Sequence, residues 1–166
     1  MSIEVRKVRP EEYERAGEVT ALAYKEFGSP DETGWDEYRH RVADVGSRAD
    51  HALVLVAVED EHILGTATLE LEERVPGGHE RPPLAPGEAH LRMLGVHPDA
   101  QGRGIGKRIM QACIEEARRA GKSLMTLDTT EQMKVAVRLY ESMGFSRGSD
   151  LVFEDGFRLR FYELRL

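Results

Sequence analysis

Gln101-Gly102-Arg103-Gly104-Ile105-Gly106 stands between a strand-like run, Glu88 to His97, and a long amphipathic helical pattern. A glycine-rich turn that opens a helix leaves several backbone N–H groups without intrahelical partners, at the positive end of the helix dipole. That is an anion site, and phosphate suits it best. Three alternating glycines are also costly in chain entropy unless something approaches the backbone closely. Two common phosphate loops can be tested letter by letter. A Walker-type loop needs Ser or Thr after Gly106-Lys107 and finds Arg108, and Gln101 occupies its first glycine position. The dinucleotide fingerprint accepts Gly102 and Gly104 but needs a third glycine where Lys107 stands. Nucleotide hydrolysis and dinucleotide binding are therefore secondary readings.

Periodicity supplies the surroundings of the turn. Ile3 to Val8 alternates and reads as a strand, and Pro10 then suits a helix start. Tyr13, Ala16, Thr20, Ala23 and Phe27 follow helical spacing, and Trp35 to Val45 is a second helical stretch. Ala52 to Val58 and Ile63 to Glu72 flank a polar turn, a hairpin signal. A breaker-rich loop over 73–87 follows, then the Glu88 strand, the turn, and a helix with Ile105, Ile109, Cys113 and Ala117 on one face. Gly121 stops that helix. Leu124 to Asp128 reads as an interior strand. Ala136, Leu139, Tyr140 and Met143 form a last helical stripe, closed by Gly144. The tail reads as a hairpin around Asp155-Gly156. Its apolar phase slips beyond Phe161, which predicts a bulge near Phe161-Tyr162. The order β α α β β β α β α β β predicts one mixed, mostly antiparallel sheet with helices on both faces.

A chain of 166 residues fits one domain with a sizeable core. No apolar run approaches the ~20 residues of a membrane span, and Met1 to Arg6 lacks the order of a signal peptide. The single cysteine, Cys113, fits a reducing cytoplasm and falls on an apolar helix stripe. The net charge of −7 disfavours nucleic acid and favours a cationic or amine-bearing substrate. Arg103, Lys107 and Arg108 cluster at the turn, where a small polyanion would account for them.

Leu94-Gly95-Val96-His97-Pro98, followed by the turn, resembles the acyl-CoA motif of the GNAT superfamily of N-acetyltransferases. The core pattern Arg/Gln-x-x-Gly-x-Gly/Ala falls on Gln101, Gly104 and Gly106. Ala136 to Phe145 resembles the family's downstream helix motif. The resemblance implies a GNAT-like fold over residues 1–166, with the sheet splayed at the cofactor strand. It implies acetyl-CoA as co-substrate, no metal, and transfer to a primary amine of a small molecule or peptide. It places the cofactor on Leu94, Gly95, Val96, Gln101, Gly102, Arg103, Gly104, Ile105, Gly106 and Lys107. The pantetheine arm would pair like an added strand beside Leu94 and Val96, and Gly95 suits the break in the strand.

Direct transfer needs a neutral amine, a donor to the oxyanion and a proton for the departing thiolate. The resemblance gives the last role to Tyr140. The base is open: His90 suits it because imidazole titrates near neutrality, with Glu88, Glu70, Glu72 and Asp128 as rivals. Many relatives carry asparagine where this chain has Met133, and Thr129 or Thr130 is the expected substitute. The acceptor is expected between residues 24–38 and the 73–87 loop, drawn by Asp31, Glu32 and Asp36. The tail strand either pairs across a homodimer or closes the sheet. A non-catalytic acyl-CoA sensor is the other reading of the same motif.

Overall fold

The computed structural model describes residues 2–25, 35–72, 83–130, 133–152 and 158–166. The strands are β1 (Glu4–Lys7), β2 (Leu53–Glu59), β3 (His62–Glu70), β4 (Glu88–Val96), β5 (Leu124–Thr129), β6 (Ser146–Arg147), β7 (Leu151–Val152) and β8 (Arg158–Arg165). The helices are α1 (Tyr13–Tyr24), α2 (Trp35–Ala43), α3 (Val45–Ala49), α4 (Ile105–Arg119) and α5 (Lys134–Ser142). The sheet runs β1-β2-β3-β4-β5-β8-β6, with β7 beside β8. Among the described strands only β4 and β5 are parallel; every other neighbouring pair is antiparallel. That is the mixed sheet expected from the element order.

Alternation along the strands gives the sheet two different faces. One face buries Leu55, Ala67, Leu69, Leu91, Met125 and Leu127 beneath the α4 stripe of Ile105, Ile109, Met110, Cys113 and Ala117. The other buries Val54, Val56, Val58 and Ile63 against Ala16, Val19 and Val45 of α1 and α3. Towards β4 and β5 this second face turns polar: Thr66, Thr68, Glu70, His90 and Thr126 are all buried there. A polar row inside a fold needs hydrogen-bond partners or a ligand.

The β2–β3 hairpin turns on Asp60 and Glu61, both at positive φ, between the closing pair Glu59 and His62. This is the primed two-residue geometry, made here without glycine. The expected single helix over 35–45 breaks at Asp44, whose carboxylate accepts from the Ser47 N–H and caps α3. The tail corrects another expectation. β8 pairs with β5 without a slip, from Leu124↔Arg165 to Thr129↔Arg160, so there is no bulge at Phe161-Tyr162 on that ladder. Tyr162 and Leu164 join the α4-side core, while Phe161 lies on the opposite face, where it would crowd a side chain at position 148. The apolar phase slips because both faces of β8 are partly covered. Since β8 is paired on both edges, the tail closes the sheet of its own chain. Phe27 and the Asp155-Gly156 turn lie outside the described residues. No helix among the described residues is long and apolar enough to cross a membrane.

Candidate active site

The sheet opens where β4 and β5 part. Their ladder runs from Glu88↔Leu124 to Leu91↔Leu127 and stops, although β4 continues to Val96 and β5 to Thr129. The cause lies on the other side of β4. Against β3, Thr68 pairs with Arg92 and Thr66 with Gly95, so Met93 and Leu94 oppose the single residue Ala67. This is a β-bulge, and Met93 takes the left-handed conformation at φ 53°. Expectation had put the break at Gly95. Gly95 serves another purpose: a Cβ there would stand 2.7 Å from the Ala23 Cβ, so its hydrogen lets α1 lie against β4. A strained non-glycine residue of this kind is concentrated at functional sites.

A cavity of about 670 Å³ fills the opening, a size suited to a substantial ligand. Its floor is the unpaired edge of Met93 to Val96, and its far wall is α5, including Leu139 and Tyr140. One end is the glycine turn. Gly102 and Gly104 have φ of 80° and 75°, and Gly104 is the N-cap of α4 without any side-chain cap. The first intrahelical bond runs from the Arg108 N–H to the Gly104 carbonyl, 3.2 Å. The amides of Ile105, Gly106 and Lys107 therefore have no helical partner, and all three residues line the cavity. A Cβ at 102 or 104 would meet nothing within 4 Å, whereas one at 106 would press on Leu139 at 3.3 Å.

The two basic side chains of the turn part company. Lys107 lines the cavity. The Arg103 guanidinium instead reaches across to Glu59 at 2.7 Å, which holds that carboxyl below its usual range. Arg108 donates to the Ile3 carbonyl.

Tyr140 is 5% exposed and faces the cavity. Its place follows from Gly144, which at φ 94° ends α5 in a Schellman turn. The Phe145 N–H returns to the Tyr140 carbonyl and the Gly144 N–H to Glu141, both at 3.1 Å. The turn brings the Phe145 ring to 5.9 Å from that of Tyr140, with Tyr162 at 6.3 Å. Burial pushes the Tyr140 phenol well above its ordinary pKa, so it stays protonated throughout the neutral range. Cys113 lies in the core as expected, its thiol pushed up to about 12 by burial.

His90 is 1% exposed and is not part of the cavity wall; Asp128 is. The two are joined in a chain. The Thr126 hydroxyl donates to Glu88, so its oxygen accepts from His90 Nδ1 at 2.8 Å. That fixes Nδ1 as the protonated nitrogen and turns Nε2 towards Asp128, 3.7 Å away. Glu70 is bound by Arg92 at 2.9 Å. His97 caps the turn after β4 by accepting from the Asp99 N–H. The Thr129 hydroxyl points to the Met133 sulfur at 3.4 Å, and the buried Thr130 hydroxyl has no partner among the described residues. Asp31 and Glu32 lie outside the described residues, as does the side chain of Asp36. No group of three potential metal ligands occurs among the described residues.

A sequence profile of the acetyltransferase (GNAT) family matches residues 16–145. The chain belongs to the GNAT acetyltransferase family. A mycothiol acetyltransferase from Geodermatophilus obscurus is 31% identical over 118 residues, 71% of this chain and 36% of that protein. An L-amino acid N-acyltransferase from Escherichia coli is 40% identical over 50 residues, 30% of this chain and 29% of that protein. The chain thus spans about a third of the length of these curated relatives. The yncA protein of Salmonella typhimurium, solved with acetyl-CoA, shares the fold at a TM-score of 0.70 and 23% identity, over 100% of this chain and 95% of that one. A PaiA N-acetyltransferase from Thermoplasma acidophilum, solved with coenzyme A, does so at 0.74 and 19%, over 99% and 100%.

Sequence reasoning missed Tyr24 and Arg48 and did not use Arg92. Tyr24 ends α1 and lines the cavity, and burial raises its phenol well above the ordinary value. Its signal was the i+4 step from Thr20. Arg92 continues the alternation Glu88, His90, Arg92 on one face of β4. Arg48, on the five-residue α3, left no periodic signal.

Proposed function

We propose that this protein transfers the acetyl group of acetyl-CoA to a primary amine. One observation carries the reading: the β4–β5 opening places uncapped α4 amides, an unpaired strand edge and the buried Tyr140 phenol around one cavity. The amides of 104–107 hold the pyrophosphate, with Lys107 beside them. The β4 edge from Met93 to Val96 accepts the pantetheine arm as an added strand. It also offers a backbone N–H, of Leu94 or Val96, to the carbonyl oxygen as charge develops there.

The acceptor arrives as an ammonium. It loses one proton to the Asp128–His90 pair: Asp128 faces the cavity, and His90 Nε2 behind it holds the proton. Thr126 and Glu88 keep His90 in the tautomer with a bare Nε2. The neutral nitrogen attacks the acetyl carbon, the C–S bond breaks, and Tyr140 gives its proton to the sulfur. The second amine proton then restores the Tyr140 phenol. Residues 1–166 act as one acyltransferase unit, and the buried thiol of Cys113 suits the reducing cytoplasm.

The test is thiol release from acetyl-CoA over a broad panel of amines. Turnover is expected, and His90→Gln should lower kcat/KM for the amine while acetyl-CoA binds as before. Tight acetyl-CoA binding with no turnover of any amine would favour a sensor and defeat the reading.

A further inference from the structure

We propose that the acceptor amine also carries a carboxylate, and that Arg48 and Arg92 bind it on the α1–α3 face of the sheet. The inference rests on the acetyl-transfer reading and narrows its acceptor. Arg92 lines the acceptor end of the cavity together with Tyr24 and Asp128. Across the β3–β4 ladder Arg92 is paired with Thr68. Arg48 Nε donates to that same Thr68 hydroxyl at 3.2 Å, so α3 lays a second guanidinium beside the first. The other contact of Arg48 is the Arg41 carbonyl at 2.7 Å.

Charge then decides the ligand. Arg92 is bound to Glu70, which is buried. Among the described residues Arg48 meets two neutral oxygens and no carboxylate. Two guanidiniums therefore share one directly bonded carboxylate, with Asp44 acting on Arg48 through space and Asp128 set apart on β5 for the amine. Burial first, and Arg92 second, pull the Arg48 pKa down to about 10, which leaves it charged at neutral pH. Like charges held together away from water are costly unless an anion joins them. A monoanion suits this arginine pair, and the planar fork of arginine fits a carboxylate in two parallel bonds.

Geometry places the amine of the same molecule. Arg92 and Asp128 each stand one residue past the last paired rung, Leu91↔Leu127. They stand on the two strands that part there, and both line the cavity. A molecule with an amine and a carboxylate a few bonds apart would address both strands at once. An amino acid presents its amine to Asp128–His90 and its carboxylate to the arginines in one step.

The experiment compares matched acceptors on the unmodified protein: each common amino acid, its amide, its decarboxylated amine, and an aminoalkyl phosphate. Acids should exceed their amides by ~30-fold or more in kcat/KM, because a site built to bond a group discriminates against analogues that lack it. Arg92→Gln and Arg48→Gln should collapse that ratio to a few-fold, mostly through KM, and Arg48→Lys should restore part of it. Amides or plain amines used as well as acids would overturn the carboxylate site and leave acetyl transfer standing. So would an acid-to-amide ratio that survives both Gln variants. Preference for the phosphate would overturn the monoanion assignment. No turnover of any amine would overturn both readings.

Discussion

The two ends of the cavity are built from different materials. The cofactor end is main chain: amides at the start of α4 and the bare edge of β4, with Lys107 as its cationic side chain. The proposed acceptor end is side chain: Tyr24 from α1, Arg92 from β4 and Asp128 from β5 line it, with Arg48, His90 and Thr126 behind them. A backbone cradle depends on conformation, so it demands glycine at fixed places and tolerates much else. A side-chain cradle depends on which elements meet, and its residue types are not dictated by backbone conformation. One end suits a constant partner, the other a variable one.

The largest effect should fall where the two ends meet. Tyr140→Phe is expected to lower kcat ~100-fold, within the span of general acid catalysis, while acetyl-CoA binds as before. Burial keeps the phenol protonated, so the unaltered protein should show no falling alkaline limb from Tyr140 below pH 10. A limb that disappears in the Phe variant would contradict this.

Gly106→Val tests the backbone end alone. Its Cβ would press on Leu139 at 3.3 Å and stand 3.7 Å from Val96, and its methyls would narrow the cavity beside the free α4 amides. Acetyl-CoA affinity should drop ~10–100-fold, the equivalent of ~1–3 kcal/mol of overpacking, as read by titration calorimetry. Equal affinity would mean that the amides of α4 do not hold the ligand.

Gly95→Ala should weaken both ends together. The new methyl would overlap Ala23, so α1 must move and carry Tyr24 with it. A stability loss of ~1–3 kcal/mol is expected in thermal unfolding, with KM rising for acetyl-CoA and acceptor alike. A rise in one KM alone would separate the two ends more sharply than the fold implies.

The smallest effects compare two cations of the same turn. Lys107→Ala should raise the KM for acetyl-CoA a few-fold, the usual worth of an exposed ion pair. Arg103→Ala should change it less than ~2-fold, because that guanidinium is engaged with Glu59. The reverse order would show that Arg103 leaves Glu59 when the ligand binds.

Much of the cofactor end was legible before any coordinates. Gly102, Gly104 and Gly106 announce the turn because few other residues meet its conformational and steric demands, and the Ile105 stripe announces the helix behind it. Tyr140 was legible through its motif. Met93 was not: nothing in its residue type marks a left-handed position, and Gly95 beside it drew the eye for a packing reason. The His90–Asp128 pairing was half legible, since both residues were candidates but their contact crosses from β4 to β5, and Thr126, which sets the His90 tautomer, gave no signal.

The sequence by itself determined the order of the main elements, the mixed sheet, the glycine turn and the helix that carries Tyr140, though not the break that makes α3 or the short strand β6. These follow from local periodicity and from residues whose backbone preferences are narrow. Only the tertiary structure decided that Arg103 turns to Glu59, that Asp128 stands before His90, and that Arg48 joins Arg92 over Thr68. Those contacts link positions up to 44 residues apart, as between Glu59 and Arg103. Their energies depend on burial and on neighbouring charge, and a linear chain specifies neither until it is packed.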